Sequence, residues 1–491
     1  MLNMSNSTKA AKMLKQITLS LLAAGVLAGC SLAPTYTRPE APISSVYPAE
    51  DGGKAQTAGN AADNATNIGW REFFPDQRLQ ALIAIALENN RDLRVAALRV
   101  EEARGLYNIQ SADRWPNVNA AASGSRARTP ASISPTGAAM ISNTYQVGLS
   151  LASFELDFFG RVRSLNQAAL SQYLATQEAQ QAVHISLVAE MAKAYLAERG
   201  LAEQQEYAQR TLESRQAAYK ITKQRFDVGA SSALDLRQDE VLVESARASL
   251  AILARQRAQA VNTVILLAGK PLSDLPPAQP LSGQNIVTDI PAGLPSDLIA
   301  RRPDIRSAEQ QLQATNANIG AARAAFFPRI SLTAGIGTAS NELSNLFQTG
   351  TQTWSFAPQL VLPIFDAGRN RATLTVAEVR NNVAVANYEK TIQTAFREVS
   401  DALVARSALE EQIDAQQKVQ VAQAERLKLA EQRYRNGVAS SLDVLDAQRQ
   451  LFADEQLLIQ ARVLRLTNAV DLYRALGGGW SENTVTAQSG K

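Results

Sequence analysis

The chain states one pattern twice. Asn90-Arg91-Asp92-Leu93-Arg94 returns 212 positions later as Arg302-Pro303-Asp304-Ile305-Arg306, and Trp115-Pro116 returns at the same offset as Phe327-Pro328. Further on the offset becomes 208. Gly160-Arg161 returns as Gly368-Arg369, Gln224-Arg225-Phe226 as Gln432-Arg433-Tyr434, and residues 229–235 (GASSALD) as residues 437–443 (GVASSLD). Two copies of a unit of roughly 200 residues are too few and too long for a solenoid array. They imply one pseudo-symmetric architecture, with repeat 1 over residues 73–285, repeat 2 over 286–480 and a flexible tail at 481–491.

Within each copy the hydrophobic period changes. From Phe73 to Ala112 the chain is rich in Ala, Leu, Glu and Arg with no Pro after Pro75, which predicts one long helix stopped by Pro116. Period two follows from Asn117 and again from Tyr145. In the second copy Ile330, Leu332, Ala334 and Ile336 alternate with Ser331, Thr333, Gly335 and Gly337; Trp354, Phe356, Leu360 and Leu362 alternate with Ser355, Ala357, Gln359 and Val361. A half-buried soluble strand alternates in this way, and so does a lipid-facing barrel strand with a polar lumen.

After each strand pair comes a stretch without Pro, residues 161–226 and 369–434, in which Gly200 is the only interior Gly. Helices of that length reach roughly 100 Å, far more than a globular domain needs. Shorter helices, 234–268 and 442–476, come halfway back, and the helices entering the strand pairs, 73–112 and 293–326, supply the other half. Each copy therefore offers two strands and two helix columns. Phe452, Gln456, Ile459, Val463, Leu466, Val470 and Tyr473 form a heptad seam. With 6% aromatic residues, the composition suits thin walls of laterally packed helices better than one thick core.

The N-terminus is an address. Lys9, Lys12 and Lys15 precede an apolar run from Ile17 to Ala28 that closes on Leu27-Ala28-Gly29-Cys30. This describes a signal peptide over residues 1–29, too short to span a bilayer. The small residues ending on Cys30 look like a lipobox, whose thiol is acylated, so the only expected modification is a covalent lipid on Cys30 with no other cofactor. Ser31 follows rather than Asp, which in bacterial lipoproteins favours export to the outer membrane. Residues 30–72 read as a lipidated, extended and partly flexible tether. Cys30 is the only Cys, so no intramolecular disulfide is possible.

No catalytic constellation is apparent. The single His184 lies mid-helix among Ala, Val, Gln and Ser, without the partners a triad or zinc site requires. Gly477-Gly478-Gly479 lacks the strand-loop-helix context of a phosphate site. Net charge is +3, and the signal peptide alone contributes three Lys, so the mature chain lacks the basic excess that nucleic acid binding needs.

The two turn loops are more pointed. Gly229-Ala230-Ser231-Ser232 with Leu234, and Gly437-Val438 with Ser440-Ser441, break a helix with Gly and restart it with capping residues. Either they are simple hairpin turns, or the tips meet a partner, the glycines and serines permitting close approach of its helices. Leu442, Asp446 and Arg449 share one helical face. They form a surface ion pair or, if copies pack around an axis, rings at a narrow end. The first copy has Leu234, Gln238 and Val241 there, so the charged pair occurs once per chain.

The lipobox, the duplicated halves, LDFFGR and IFDAGR at the strand-to-helix junctions, ARAAFFPRISL, GVASSLDVLDAQR and the closing ALGGGW together resemble the outer-membrane factor family, in its TolC- and OprM-like lipoprotein branch. The resemblance covers residues 27–480. It implies an α+β membrane protein: a homotrimer with one twelve-stranded outer-membrane β-barrel, four strands per chain, continuous with a long periplasmic α-helical barrel. It implies no enzyme but a passive duct of a multidrug efflux pump, partnered by a periplasmic adaptor and an RND-type inner-membrane pump. It also implies a periplasmic gate at Tyr434, Leu442, Asp446 and Arg449, with Tyr434 and Arg449 placed to bond across the turn, and adaptor docking at the tips. A duct for protein secretion and a pore-less structural lipoprotein are the alternatives.

Overall fold

The same element order runs through the chain twice. A computed structural model describes residues 32–47, 65–135, 137–288, 290 and 295–484. The first pass is α1 (Trp70–Phe73), α2 (Gln77–Asn89), α3 (Arg91–Ala112), β1 (Val118–Thr129), β2 (Met140–Leu156), α4 (Arg161–Asp227) and α5 (Ala233–Ala268). The second is α6 (Pro295–Arg301), α7 (Pro303–Ala324), β3 (Arg329–Ser340), β4 (Gln352–Val361), α8 (Arg369–Arg435) and α9 (Ser441–Ala475). Both long helices, α4 and α8, end one residue beyond their expected bounds. Leu362, expected in the last strand, lies just past β4.

The single helix expected over 73–112 is three pieces. Phe74 and Pro75 separate α1 from α2, and Asp76 caps α2, its carboxylate accepting from the Arg78 N–H at 2.7 Å. Asn90 has a ψ of 134°, and its Oδ1 accepts from the Leu93 N–H at 3.0 Å. One residue thus ends α2 and starts α3, because an Asn side chain offers the backbone a better acceptor than the next turn does. In the second copy Arg302 separates α6 from α7, and Pro303 opens α7 at the position where its missing N–H costs nothing. The motif repeated at offset 212 is therefore a helix break, which apolar periodicity does not reveal.

The chain divides into two compact units. One holds the strands, residues 100–176 and 308–388, with 32–40. Its antiparallel sheet has the order β1-β2-β3-β4. The register places Ile330 opposite Leu360, Ala334 opposite Phe356 and Ile336 opposite Trp354. On the other side of β3, Ile336 faces Leu149 and Leu332 faces Phe154; Leu149 and Leu151 face Ala120 and Val118. Along these pairs one face is apolar, and the other carries Ser331, Thr333, Gly335, Ser355 and Gln359. A register shift between Leu151 and Phe154 inserts one extra residue, with Ser153 at φ 38°. This bulge changes the parity of β2. Phe154 and Leu156 stay on the apolar face, and Glu155 turns to the polar one, where it meets Arg161 at 2.7 Å and Arg329 at 2.7 Å.

In the same unit the first part of the tether, residues 32–40, is tied down. Arg38 grips Glu309 on α7 with two hydrogen bonds, 2.8 and 2.9 Å. The Tyr36 hydroxyl donates to the same carboxylate at 3.1 Å, and Asn316 donates to the Pro34 carbonyl at 2.8 Å. A Cβ on Gly320 would stand 2.7 Å from Ala33 Cβ, so the strap needs glycine beneath it. The counterpart of Gly320 at offset 212 is Asn108. Cys30 and the signal peptide lie outside the described residues.

The other unit, residues 41–99, 177–307 and 389–491, holds the rest of the helical length and a true aromatic core, which the low aromatic content did not suggest. Phe73 stacks on Tyr473 at 3.9 Å, with Phe74 edge-on to Phe73 at 4.6 Å. Buried Asp76 accepts from the Tyr195 hydroxyl at 2.8 Å and from Gln284 at 2.6 Å. Arg302, 7% exposed, bonds Asp304 at 2.7 Å, Glu398 at 2.8 Å and the Ala475 carbonyl at 3.0 Å. The heptad seam of α9 is inside: Ile459, Leu466, Val470 and Tyr473 are all buried. Gly200 has a packing reason, since a Cβ there would meet Val463 at 2.5 Å. The start of the expected flexible tail is tied down, with Arg71 and Glu482 paired at 2.6 Å. Among the described residues no helix is long and apolar enough to cross a membrane.

Candidate functional site: the paired helix-turn tips

Both tips are built alike. Gly229 and Gly437 adopt φ of 77° and 72°. The Gly229 and Ala230 N–H groups return to the carbonyls of Phe226 and Arg225 at 2.9 and 2.7 Å. Those of Gly437 and Val438 return to Tyr434 and Arg433 at 3.0 and 2.9 Å. This double bond pattern is the Schellman helix ending, which needs a left-handed residue and so favours glycine. A Cβ on either glycine would meet nothing within 4 Å. Within the chain, their job is therefore the turn conformation.

The restart differs between the copies. Ser232 and Asp235 form a complete capping box at the start of α5, whereas Ser440 makes no side-chain cap at the start of α9. Asp235 also reaches the second tip: the Ser441 hydroxyl donates to its Oδ1 at 3.2 Å. The Ser232 hydroxyl bond, first among several from the serines, holds the Asp235 carboxyl below the usual aspartate range. The two tips are thus neighbours joined by a side-chain bond. Ala230, Leu234, Val438 and Leu442 all stay exposed there.

Of the expected gate residues, Asp446 and Arg449 are joined directly. Asp446 bonds Arg449 on its own helix at 2.7 Å and Arg426 on α8 at 2.7 Å. The bridge across the turn is therefore Arg426 to Asp446, not Tyr434 to Arg449. An antiparallel hairpin explains it. Arg426 lies ten residues before Asn436 and Asp446 ten after, so the two come level. That symmetry about the Gly437 turn was the available signal. The Arg426 hydrogen bond, supported by Arg449, lowers the Asp446 pKa. A lowered carboxylate loses its bridge only as pH falls through that depressed value, so the link is present at neutral pH and fails only in acid. Leu442 is 60% exposed and Tyr434 39% exposed, so this chain alone leaves both uncovered. Among the described residues no cluster of metal-ligating side chains occurs.

The comparisons with known proteins agree on one family. The model described as outer membrane efflux protein matches twice, over residues 82–270 and 294–478. Outer membrane protein OprJ of Pseudomonas aeruginosa is 48% identical over 464 residues, 94% of this chain and 96% of that protein. The antibiotic efflux pump outer membrane protein ArpC of Pseudomonas putida is 46% identical over 478 residues, 97% of this chain and 98% of that one. The crystal structure of the open state of the Neisseria gonorrhoeae MtrE outer membrane channel shares 42% identity and superposes with a TM-score of 0.84, covering 93% of this chain and 100% of its own.

Proposed function

Because the chain belongs to the outer membrane efflux protein family and is an outer-membrane efflux channel, we propose that three copies close one twelve-stranded barrel whose helices form a periplasmic duct. The duct is fed through a periplasmic adaptor by an RND-type inner-membrane pump. The observation that supports this best is the open sheet. Its order leaves β1 and β4 as edges, and hydrocarbon does not tolerate unpaired backbone groups. Further copies must therefore supply the missing partners, β1 of one against β4 of the next, and three copies of four strands make the twelve-stranded barrel proposed. From Tyr145 to Leu156 the apolar face of β2 runs roughly 36 Å along the strand at about 3.3 Å per residue. Tilted as barrel strands are, that is close to the apolar band of about 25 Å.

The chain does no chemistry on its cargo; its task is a sealed path with a gate. In the trimer Leu442 and Asp446 repeat around the axis, the first excluding water and the second selecting charge, while Arg426 and Arg449 offset the repulsion of the carboxylates. The exposed tips receive the adaptor, and a lipid on Cys30 holds the strap at the membrane. The cargo is antibiotics, as in the relative named for antibiotic efflux. Native mass spectrometry of the detergent-solubilised protein tests the assembly. Three copies with one lipid each are expected; a monomer or dimer as the largest species overturns it.

A further inference from the structure

Arg215 on α4 carries a charge that the fold leaves unanswered. It is 7% exposed. Its Nη1 donates to the Leu242 carbonyl at 3.1 Å, and its buried Nε has no hydrogen-bond partner. Burial alone pushes the guanidinium pKa down; no carboxylate among the described residues raises it back. The Phe452 ring lies 5.9 Å away. A buried cation without a counter-ion is costly, and a native orphan donor asks for a reason.

The reason is beside it. Arg215 lines a pocket of about 260 Å³ between α4, α8 and α9, with Tyr207, Leu427 and Phe452 as its apolar and aromatic walls. The other charges there have partners. Arg210 pairs with Glu206 at 3.5 Å and Glu431 with Arg435 at 3.2 Å; Glu455 is attracted to Arg210, and burial holds its carboxyl above the usual range. The duplication supplies an internal control. At offset 208 Arg215 corresponds to Gln423 and Tyr207 to Ala415, and Phe452 corresponds to Glu244. The second copy builds the same long helix without the arginine, so the hairpin architecture does not require it.

We propose that this pocket binds a small aromatic carboxylate, its anion on Arg215 and its ring against Tyr207 and Phe452. With Nη1 occupied, the Nε–Nη2 edge of the fork is the one left for a carboxylate, which it matches in a bidentate manner. The inference is independent of the barrel and the gate, since every residue in it belongs to the helical unit.

The test is calorimetric titration of the full-length protein in detergent with benzoate, and with benzamide as the uncharged isostere. Saturable benzoate binding is expected, at least tenfold weaker for benzamide. Arg215→Gln should weaken benzoate at least tenfold. So should Ser214→Trp, which fills the pocket and keeps the charge. Arg215→Met serves as the structural control. Without ligand its thermal midpoint should equal or exceed the parent's, because an unpaired buried charge is gone, and benzoate should raise only the parent's midpoint. Absence of saturable benzoate binding, equal binding of benzamide, unchanged binding in Arg215→Gln, or a sharp drop in the Arg215→Met midpoint would each overturn the proposal, the last by making Arg215 a structural strut.

Discussion

Phe356 is the sharpest probe of the membrane face. It sits mid-strand in β4, four residues from Gln352 and five from Val361, which at about 3.3 Å per residue places it roughly 13–17 Å from either end. It pairs with Ala334 on the apolar face and is 61% exposed, so in the proposed barrel it faces lipid. Phe356→Arg should cost about 2–4 kcal/mol, the range for a cation at bilayer mid-depth, or a factor of roughly 30 to 900 in the folded ratio. Leu360→Arg, at the penultimate strand position, should cost about 1 kcal/mol or less because the penalty falls toward the interface. Ser355→Arg lies on the opposite face and should be tolerated better than Phe356→Arg. Urea titration in lipid vesicles, read by the heat-sensitive gel mobility of the folded assembly, measures all three. Equal losses for Ser355→Arg and Phe356→Arg would refute the assignment of faces.

Other outcomes follow from the strap, the tips and the core. Cys30→Ser should abolish incorporation of labelled fatty acid while leaving the folded assembly at normal level; label retained by the variant would exclude Cys30 as the acylation site. Ser440→Trp at the exposed second tip should block crosslinking to the adaptor without changing assembly, and persistent crosslinking with unchanged drug resistance would remove the docking role. Glu398→Ala should destabilise the helical unit by about 3 kcal/mol, since it strips one partner from buried Arg302. An unchanged denaturation midpoint would mean that Asp304 and the Ala475 carbonyl suffice.

What the sequence made legible was what local pattern dictates. The period-two runs, the uninterrupted stretches from Arg161 and Arg369 and the Gly-Ser tips each depend on neighbours a few positions away, and each appears where expected. Most of the misses involve distant partners. Asn90 has helix-like surroundings, and its role as a break rests on its own side chain capping the helix it opens. Phe73 meets Tyr473 across some 400 residues, so no compositional average could show that core. The strap read as loose because it opens a stretch rich first in Pro and then in Gly, Ala and Asn, yet Glu309 and Gly320 on α7 hold it. The bulge at Ser153 shows only in the register, since a one-residue slip leaves alternation intact on either side of it. At the tip Leu442, Asp446 and Arg449 were visible from helical spacing. Arg426 was not, because its meeting with Asp446 depends on the hairpin register.

Whether the duct is shut at its tips is read most directly by single-channel conductance in planar bilayers. The parent protein should insert and conduct weakly. The Leu442→Ala, Asp446→Ala double variant, expressed and assembled normally, should conduct several-fold more, because the apolar ring and the Arg426–Asp446 bridge are removed together. A double variant that conducts no better than the parent would place the constriction elsewhere, and a protein that never conducts in either form would contradict the channel itself.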